Sequence, residues 1–248
     1  MSSKPHANAA KPSTLTAGLA PTTIPSYLAN TYWWAYLHPR AVHLFERQWL
    51  VNLILWGNFA RLRDAALNEL GTTINGRVLQ VACVYGDFTE HLVRRLGPQG
   101  SVDVIDVAPI QINNLHNKLK GSSRVTAHVQ DSSALQFADG THDGTVVFFL
   151  LHEQPADVRR KTISEALRVT KPGGKLVFVD YHKPRAYSPW RYLMVPVLTQ
   201  LEPFAIDVWN HEIAIWLPEG SPVAKIEKQT YFVGLYQKVV ITKAHMPA

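Results

Sequence analysis

From Tyr27 to Leu70 apolar side chains recur at mixed spacings of three and four, and Gly71 then stops the pattern. This is the period of helix with one face covered. Within it "WLVNLILW", Trp49 to Trp56, is apolar almost all round. A half-exposed helix does not carry such a surface, so the stretch is expected to be buried or inserted into an apolar medium. Beyond Gly71 the rhythm changes. Short β-rich runs, "RVLQVA", "SVDVIDV", "RVTAHVQ", "GTVVFFLL" and "GKLVFVDY", alternate with polar helical segments such as "DFTEHLVRRLG" and "QPADVRRKTISEALRVT". That alternation predicts a parallel sheet with helices on both faces, whose ligands bind beyond the carboxyl ends of the strands. After Asp180 the chain is aromatic and Pro-interrupted, and "KIEKQTYFVGLYQKVVITKA" predicts a hairpin turning near Val233-Gly234. The expected architecture is α/β and Rossmann-like, a seven-stranded, mostly parallel sheet with an N-terminal helical addition. One domain is expected over 27–248: a helical addition at 27–70, a core at 76–182, and a cover with hairpin at 183–248.

The 248 residues, 46% of them hydrophobic, suffice for one substantial core. Residues 1–26 are rich in Ala, Pro, Ser and Thr and read as a disordered lead-in. They lack the apolar block of a secretory signal and the arginines of a transit peptide. No run reaches the roughly 18 to 20 apolar residues that a spanning helix needs. Cys83 is the only cysteine, which excludes an internal disulfide and a thiolate zinc cluster and fits a reducing compartment. The net charge of +6 is spread along the chain with no Lys/Arg run of five, so nucleic acid is not an expected partner. An anionic membrane surface would gain from the same charge.

Candidate chemistry begins at "RVLQVACVYGDFTEHL", a strand, tight turn and helix where a nucleotide-type cofactor needs close backbone approach. The string resembles the class I methyltransferase pattern, which places an acid at Gln80 and glycines at Ala82, Val84 and Gly86. Only the last glycine is kept. Asp106 ends the second strand, where a carboxylate accepts both ribose hydroxyls of an adenosine; the alternative is a cap for the helix beginning near Pro109. In "VQDSSALQFADGTHDGTVVFFLLHEQP", Asp131 stands at a strand end, and "EALRVTKPGGKLVFVDY" gives a helix, Pro-Gly-Gly turn and fifth strand. The resemblance covers residues 76–182. It implies S-adenosylmethionine as cofactor, held by Gln80, Ala82, Val84, Gly86, Asp106, Val107, Asp131 and Ser132, with Asp131 facing the adenine amino group.

Over nearly the whole chain after the lead-in, "TYWWAYLHPRAVHLFERQWLVNLILWGNFARLRDAAL", "VACVYGDFT", "FFLLHEQPADVRR" and "VDYHKP" look like the rhodoquinone biosynthesis methyltransferase-like family. This resemblance implies conversion of ubiquinone to rhodoquinone by exchange of a ring methoxy group for an amino group. S-adenosylmethionine would then be the amino donor, and manganese the associated metal. A methoxy-quinone is a vinylogous ester, so a neutral amine can add at the methoxy-bearing carbon and expel methanol, helped by a Lewis acid on the carbonyl. The missing acid at Gln80 would leave that amine free.

Hard oxygen and imidazole ligands suit manganese. The pairs His152/Glu153 and Asp180/His182 stand at strand ends, and His211/Glu212 lies in the covering segment. Asp180, His182 and His152 form the expected ligand set, against the alternative that such pairs only cap or hydrogen-bond. Tyr181, His182 and His152 are the expected catalytic residues, with Tyr181 and Tyr187 as candidates to orient a quinone carbonyl. His38, His43 and His142 are expected to be surface or helix-packing residues. Trp33, Trp34, Trp49, Trp56 and "SPWRYLMVPVL" are assigned to a lipid tail or, equally, to a helical cap on the sheet. The expected setting is a bacterial cytoplasm, with the protein peripheral on the inner membrane. Two alternatives stay open: a conventional methyltransferase acting on a quinone or lipid, and a non-catalytic quinone- or lipid-binding protein.

Overall fold

The computed structural model describes residues 24–119 and 122–245, so the expected lead-in lies, as far as residue 23, outside the described residues. Five short helices come first: α1 (Ser26–Thr31), α2 (Trp33–Tyr36), α3 (Pro39–Phe45), α4 (Gln48–Ile54) and α5 (Phe59–Leu70). The breaks are local. Pro39 holds His38 extended (φ −85°, ψ 123°), Arg47 is extended before α4, and Trp56 and Gly57 turn left-handed (φ 53° and 75°) before α5. Of the two settings expected for this stretch, burial in the protein is not found for α4. None of its residues is buried, and Trp49 and Leu53 are 59% and 60% exposed.

The alternating part follows as β1 (Arg77–Val81), α6 (Phe88–Arg94), β2 (Ser101–Asp106), α7 (Pro109–Leu119), β3 (Val125–Val129), β4 (His142–Phe148), α8 (Ala156–Val169) and β5 (Thr170–Tyr181). Helices α9 (Pro189–Leu201) and α10 (Ala205–Asn210) lead to the closing hairpin β6 (Val223–Tyr231) and β7 (Tyr236–Lys243). The seven strands form one sheet in the order β3-β2-β1-β4-β5-β7-β6. Strands β1 to β5 pair parallel, and β7 is antiparallel to both β5 and β6. The hairpin turns at Phe232–Gly234, as the sequence predicts.

Alternate residues of each strand feed opposite faces, as the pleat requires. Val78, Val146 and Val177 join Phe59, Leu62 and Phe88 on one side. Leu79, Val147 and Phe178 join Ile163 and Leu167 on the other. Strand order reverses between β1 and β4, and the crevice beyond their carboxyl ends is where this class of sheet places a ligand.

Candidate active site

A cavity of about 370 Å³ occupies that crevice. The loops after β1, β2 and β4 form its floor, and residues of α1 to α4 and the end of α9 cover it.

On the β1–β2 side the chain makes a turn that glycine usually makes. Ala82 sits at φ 71° and Gly86 at φ 76°. A Cβ on Gly86 would lie 2.7 Å from Gln48 Oε1, which already accepts the Asp87 N–H at 3.0 Å. Lys118 caps the turn by donating to the carbonyls of Val84 and Gly86. Gln80 is fully buried under it: its amide donates to Ala82 O (3.0 Å), and its Oε1 accepts from Thr89 Oγ1 (3.0 Å). Ala82, Val84, Asp106, Val107, Asp131 and Ser132 are thus brought together in the cavity wall, whereas Gln80 and Gly86 lie outside it and support the turn.

Asp106 accepts the N–H of Cys83 (2.8 Å) and of Ala108 (2.9 Å), so it joins the β1 turn to the start of α7. Burial pushes its carboxyl up to about 6, against the pull of those hydrogen bonds. Across the cavity Asp131 accepts the Ser133 N–H, and Ser132 Oγ accepts from Gln154 Nε2. Gln154 is fully buried in the same wall, and its Oε1 has no partner. An orphaned buried acceptor beside a carboxylate suits an exocyclic amine. Asp106 lines the same cavity with both oxygens accepting backbone N–H groups, so it also caps the start of α7.

The β4–β5 side carries charge. Asp180, fully buried, accepts the N–H of Leu151 (2.9 Å), His152 (3.3 Å) and Tyr181 (2.7 Å) and the Nδ1–H of His152 (2.9 Å). Burial opposes a charge on His152, yet Asp180 outweighs it and raises the imidazolium to about 9. His152 Nε2 lies 3.8 Å from Glu153 Oε1. Glu153 also accepts the Tyr36 hydroxyl, 117 positions away in sequence. Burial raises the carboxyls of both Glu153 and Glu202. The Tyr32 hydroxyl in the same wall faces Glu202, and their contact offsets part of the rise on that carboxyl. Tyr181 closes this end, its ring edge-on to His152 at 4.9 Å.

Several expected residues fall elsewhere. His182 directs Nδ1 to Gly234 O (2.7 Å) and lines a separate basic cavity with Arg185, Tyr187 and Lys228. Its removal from the catalytic group follows from its backbone, whose N–H joins Leu235 O at the hairpin. The set Asp180, His152 and His182 therefore does not form. Both Asp180 oxygens are taken by N–H groups and His152 Nδ1 by Asp180, and among the described residues no group of three or more His, Cys, Asp or Glu is placed to hold a metal ion. The residues do not fit manganese. Tyr187 is 72% exposed and outside the main cavity, and His211 and Glu212 are exposed. His142, expected at the surface or in helix packing, is fully buried at the start of β4 on Asp103 (3.0 Å). Tyr36, Gln154 and Glu202 were not among the expected residues, because nothing in their local sequence marks them.

Residues 78–174 match the family model described as a methyltransferase domain. The ubiquinone/menaquinone biosynthesis C-methyltransferase of Pseudomonas paraeruginosa is 31% identical over 162 residues, 61% of this chain and 62% of that protein. The enzyme of the same description from Geobacter sulfurreducens is 28% identical over 158 residues, 60% of this chain and 61% of that one. The chain thus spans about 62% of the length of the curated relatives it matches. Among solved structures, N-methyltransferase NodS of Bradyrhizobium japonicum superposes with a TM-score of 0.55 at 19% identity, covering 75% of this chain and 97% of that one. The [4+2]-cyclase SpnF does so with a TM-score of 0.53 at 18% identity, covering 74% and 81%. The fold is the Rossmann-like fold of the class I methyltransferases.

Proposed function

We propose that the protein is an S-adenosylmethionine-dependent transferase acting on a lipid-tailed quinone, and that it converts ubiquinone to rhodoquinone by exchanging a ring methoxy group for an amino group. The quinone half of this reading is supported by the relatives that carry out quinone C-methylation. The observation that carries amination is Gln80. A neutral amide, locked between Ala82 O and Thr89, stands where a carboxylate would hold the cofactor's ammonium group. Fold does not fix the reaction, since a chain of this fold is a cyclase.

S-adenosylmethionine supplies the amine when bound. The chain does the rest. Asp106 accepts ribose hydroxyls, and Asp131 with Gln154 Oε1 accepts the adenine amino group. His152, kept charged by Asp180, donates from Nε2 to the quinone carbonyl and stabilises the oxyanion that forms as the methoxy-bearing carbon is attacked. The ionised member of the buried pair Glu153 and Glu202 takes the proton lost by the nitrogen and returns it to the departing methoxide, so methanol leaves. A free ring amine requires the donor's Cα–N bond to break as well: passage of the Cα proton and its electron pair into the quinone would reduce the ring to the hydroquinone and leave an imine, which water would cleave to the amino-hydroquinone and a 2-oxo acid. Aromatic walls from Tyr36, Phe149 and Tyr181 exclude water. A buried imidazolium thus fills the electrophilic role that the family resemblance gave to a metal.

The test is a reaction of the purified protein with short-tailed ubiquinone and S-adenosylmethionine labelled with nitrogen-15 on its amine, with and without added manganese, read by mass spectrometry. A labelled product lacking one methoxy group establishes amination. An unlabelled product carrying an added methyl group returns the protein to quinone methylation, the reaction of its relatives. No product and no cofactor binding would leave a quinone-binding protein on this fold.

A further inference from the structure

Outside the cavity, the least expected feature is the surface around α4 and α9. Trp56 at the end of α4 meets Trp190 on α9 with ring centroids 4.5 Å apart, and Trp190 packs on Phe232 of the hairpin turn at 4.9 Å. These contacts make one continuous face. Trp49, Leu53, Tyr192 and Leu193 project from it, each more than half exposed. Ile54 and Leu201 are exposed on the same helices and also line the main cavity, so the cavity opens on this face. Large contiguous apolar surface of this kind marks a partner.

Charge identifies the partner's chemistry. Neither α4 (QWLVNLI) nor α9 (PWRYLMVPVLTQL) carries an acidic residue. Arg47 precedes α4, Arg191 lies on α9, and the basic cavity of His182, Arg185 and Lys228 adjoins through Val233, itself 53% exposed, beside Phe232. Arg185 donates to the Tyr187 hydroxyl and Arg191 to Pro184 O, so neither is neutralised by those contacts, whereas Lys228 is paired with Glu212 (2.6 Å). Trp and Tyr beside arginine on short helices is the composition of an element lying in a lipid interface. None of the described helices is long and apolar enough to cross a membrane.

We propose that the α4–α9 face seats the protein on an anionic phospholipid bilayer, the apolar side chains inserted and the Arg185/Arg191 flank against lipid phosphates, so that a lipid-tailed ring enters the cavity sideways from the membrane. Only the identity of what enters rests on the quinone reading; docking itself does not. The experiment is sedimentation of the full chain with vesicles of phosphatidylglycerol and phosphatidylcholine, and with phosphatidylcholine alone, no quinone present. Wild type should partition onto the anionic vesicles and much less onto the neutral ones. The variant Trp49→Ser/Leu53→Ser/Leu193→Ser, altered only at exposed positions outside the cavity, should lose on the order of 100-fold in partitioning. Arg185→Gln/Arg191→Gln should lose on the order of 10-fold. Both should keep turnover on a short-tailed quinone. Equal partitioning of variant and wild type, or none by wild type, would overturn the proposal. So would a concentration-dependent dimer that the triple variant abolishes, which would assign the face to a second copy. Vesicle binding without quinone turnover would leave docking intact and sink the proposed reaction instead; turnover without vesicle binding would do the reverse.

Discussion

Two buried aspartates, each holding a histidine, lie toward opposite ends of the same sheet. Asp103 on β2 accepts from His128 (2.9 Å), His142 (3.0 Å) and Arg77. Burial works against its charge, yet these donors hold its carboxyl well below the ordinary range. Asp180 at the end of β5 is equally saturated, but its histidine faces further carboxyls, Glu153 and Glu202, whose protons burial makes hard to remove. In the first cluster three donors compensate the carboxylate, although His142 Nδ1 has no partner, and none of its residues lines either cavity described above. The second sets one imidazole among three carboxyls and lines the main cavity through His152, Glu153 and Glu202. The difference teaches where to look for chemistry. A balanced buried charge stabilises, and an unbalanced one beside a cavity stores reactivity at a cost in stability.

The largest expected effect comes from His152→Ala, which removes both the electrophile and the countercharge to Asp180. Turnover should fall at least about 100-fold, and chemical denaturation should show a loss of about 3 to 5 kcal/mol. A variant that keeps wild-type turnover would break the contrast at its centre. Asp103→Asn should lose stability alone, about 3 kcal/mol by denaturant titration, with kcat and cofactor affinity unchanged in the folded protein. Loss of kcat there would mean that the far cluster is not merely structural.

pH separates the clusters by sign. The folded carboxyl of Asp103 is lowered from 3.8, so its contribution to stability is present above that value and is lost as pH falls through its lowered folded range. The folded His152 is raised from 6.5 to about 9, so its contribution is fully present below 6.5 and is lost as pH rises through about 9. Turnover should decline over the same alkaline interval, and cofactor affinity should weaken below about 6 as Asp106 is protonated. A rate flat through pH 9 would remove the imidazolium from the mechanism. The smallest effect belongs to the turn: Ala82→Gly relieves a left-handed alanine (φ 71°) and should stabilise by about 1 kcal/mol in thermal unfolding.

Strand periodicity made the sheet legible, and with it four residues that line the cavity from strand ends, Asp106, Asp131, His152 and Tyr181. The covering layer was less so. Pro39 announces one helix break and Gly57 lies in another, but Tyr32 between α1 and α2 and the extended Arg47 before α4 carry no such mark. Tyr36, Gln154 and Glu202 reach the cavity from different segments, and no local spacing records that Tyr36 meets a carboxylate 117 positions away. His182 was misplaced for a related reason. It follows the alternation that puts Asp180 inward, but β5 ends at Tyr181 and the hairpin captures the next residue. His142 is polar at a strand start and reads as surface or helix packing; its bond to Asp103, 39 positions away, is not visible in local sequence.

The most direct test of the contrast is one substitution, Glu153→Gln, measured for unfolding free energy and for turnover on the same preparation. A neutral isostere no longer meets the burial penalty that raises this carboxyl, so stability should hold or rise. Turnover should fall at least about 100-fold, because the proton acceptor is gone. Loss of stability with turnover retained would contradict the account: Glu153 would then be a structural partner of Tyr36, and the charge in this cavity would have no part in the reaction.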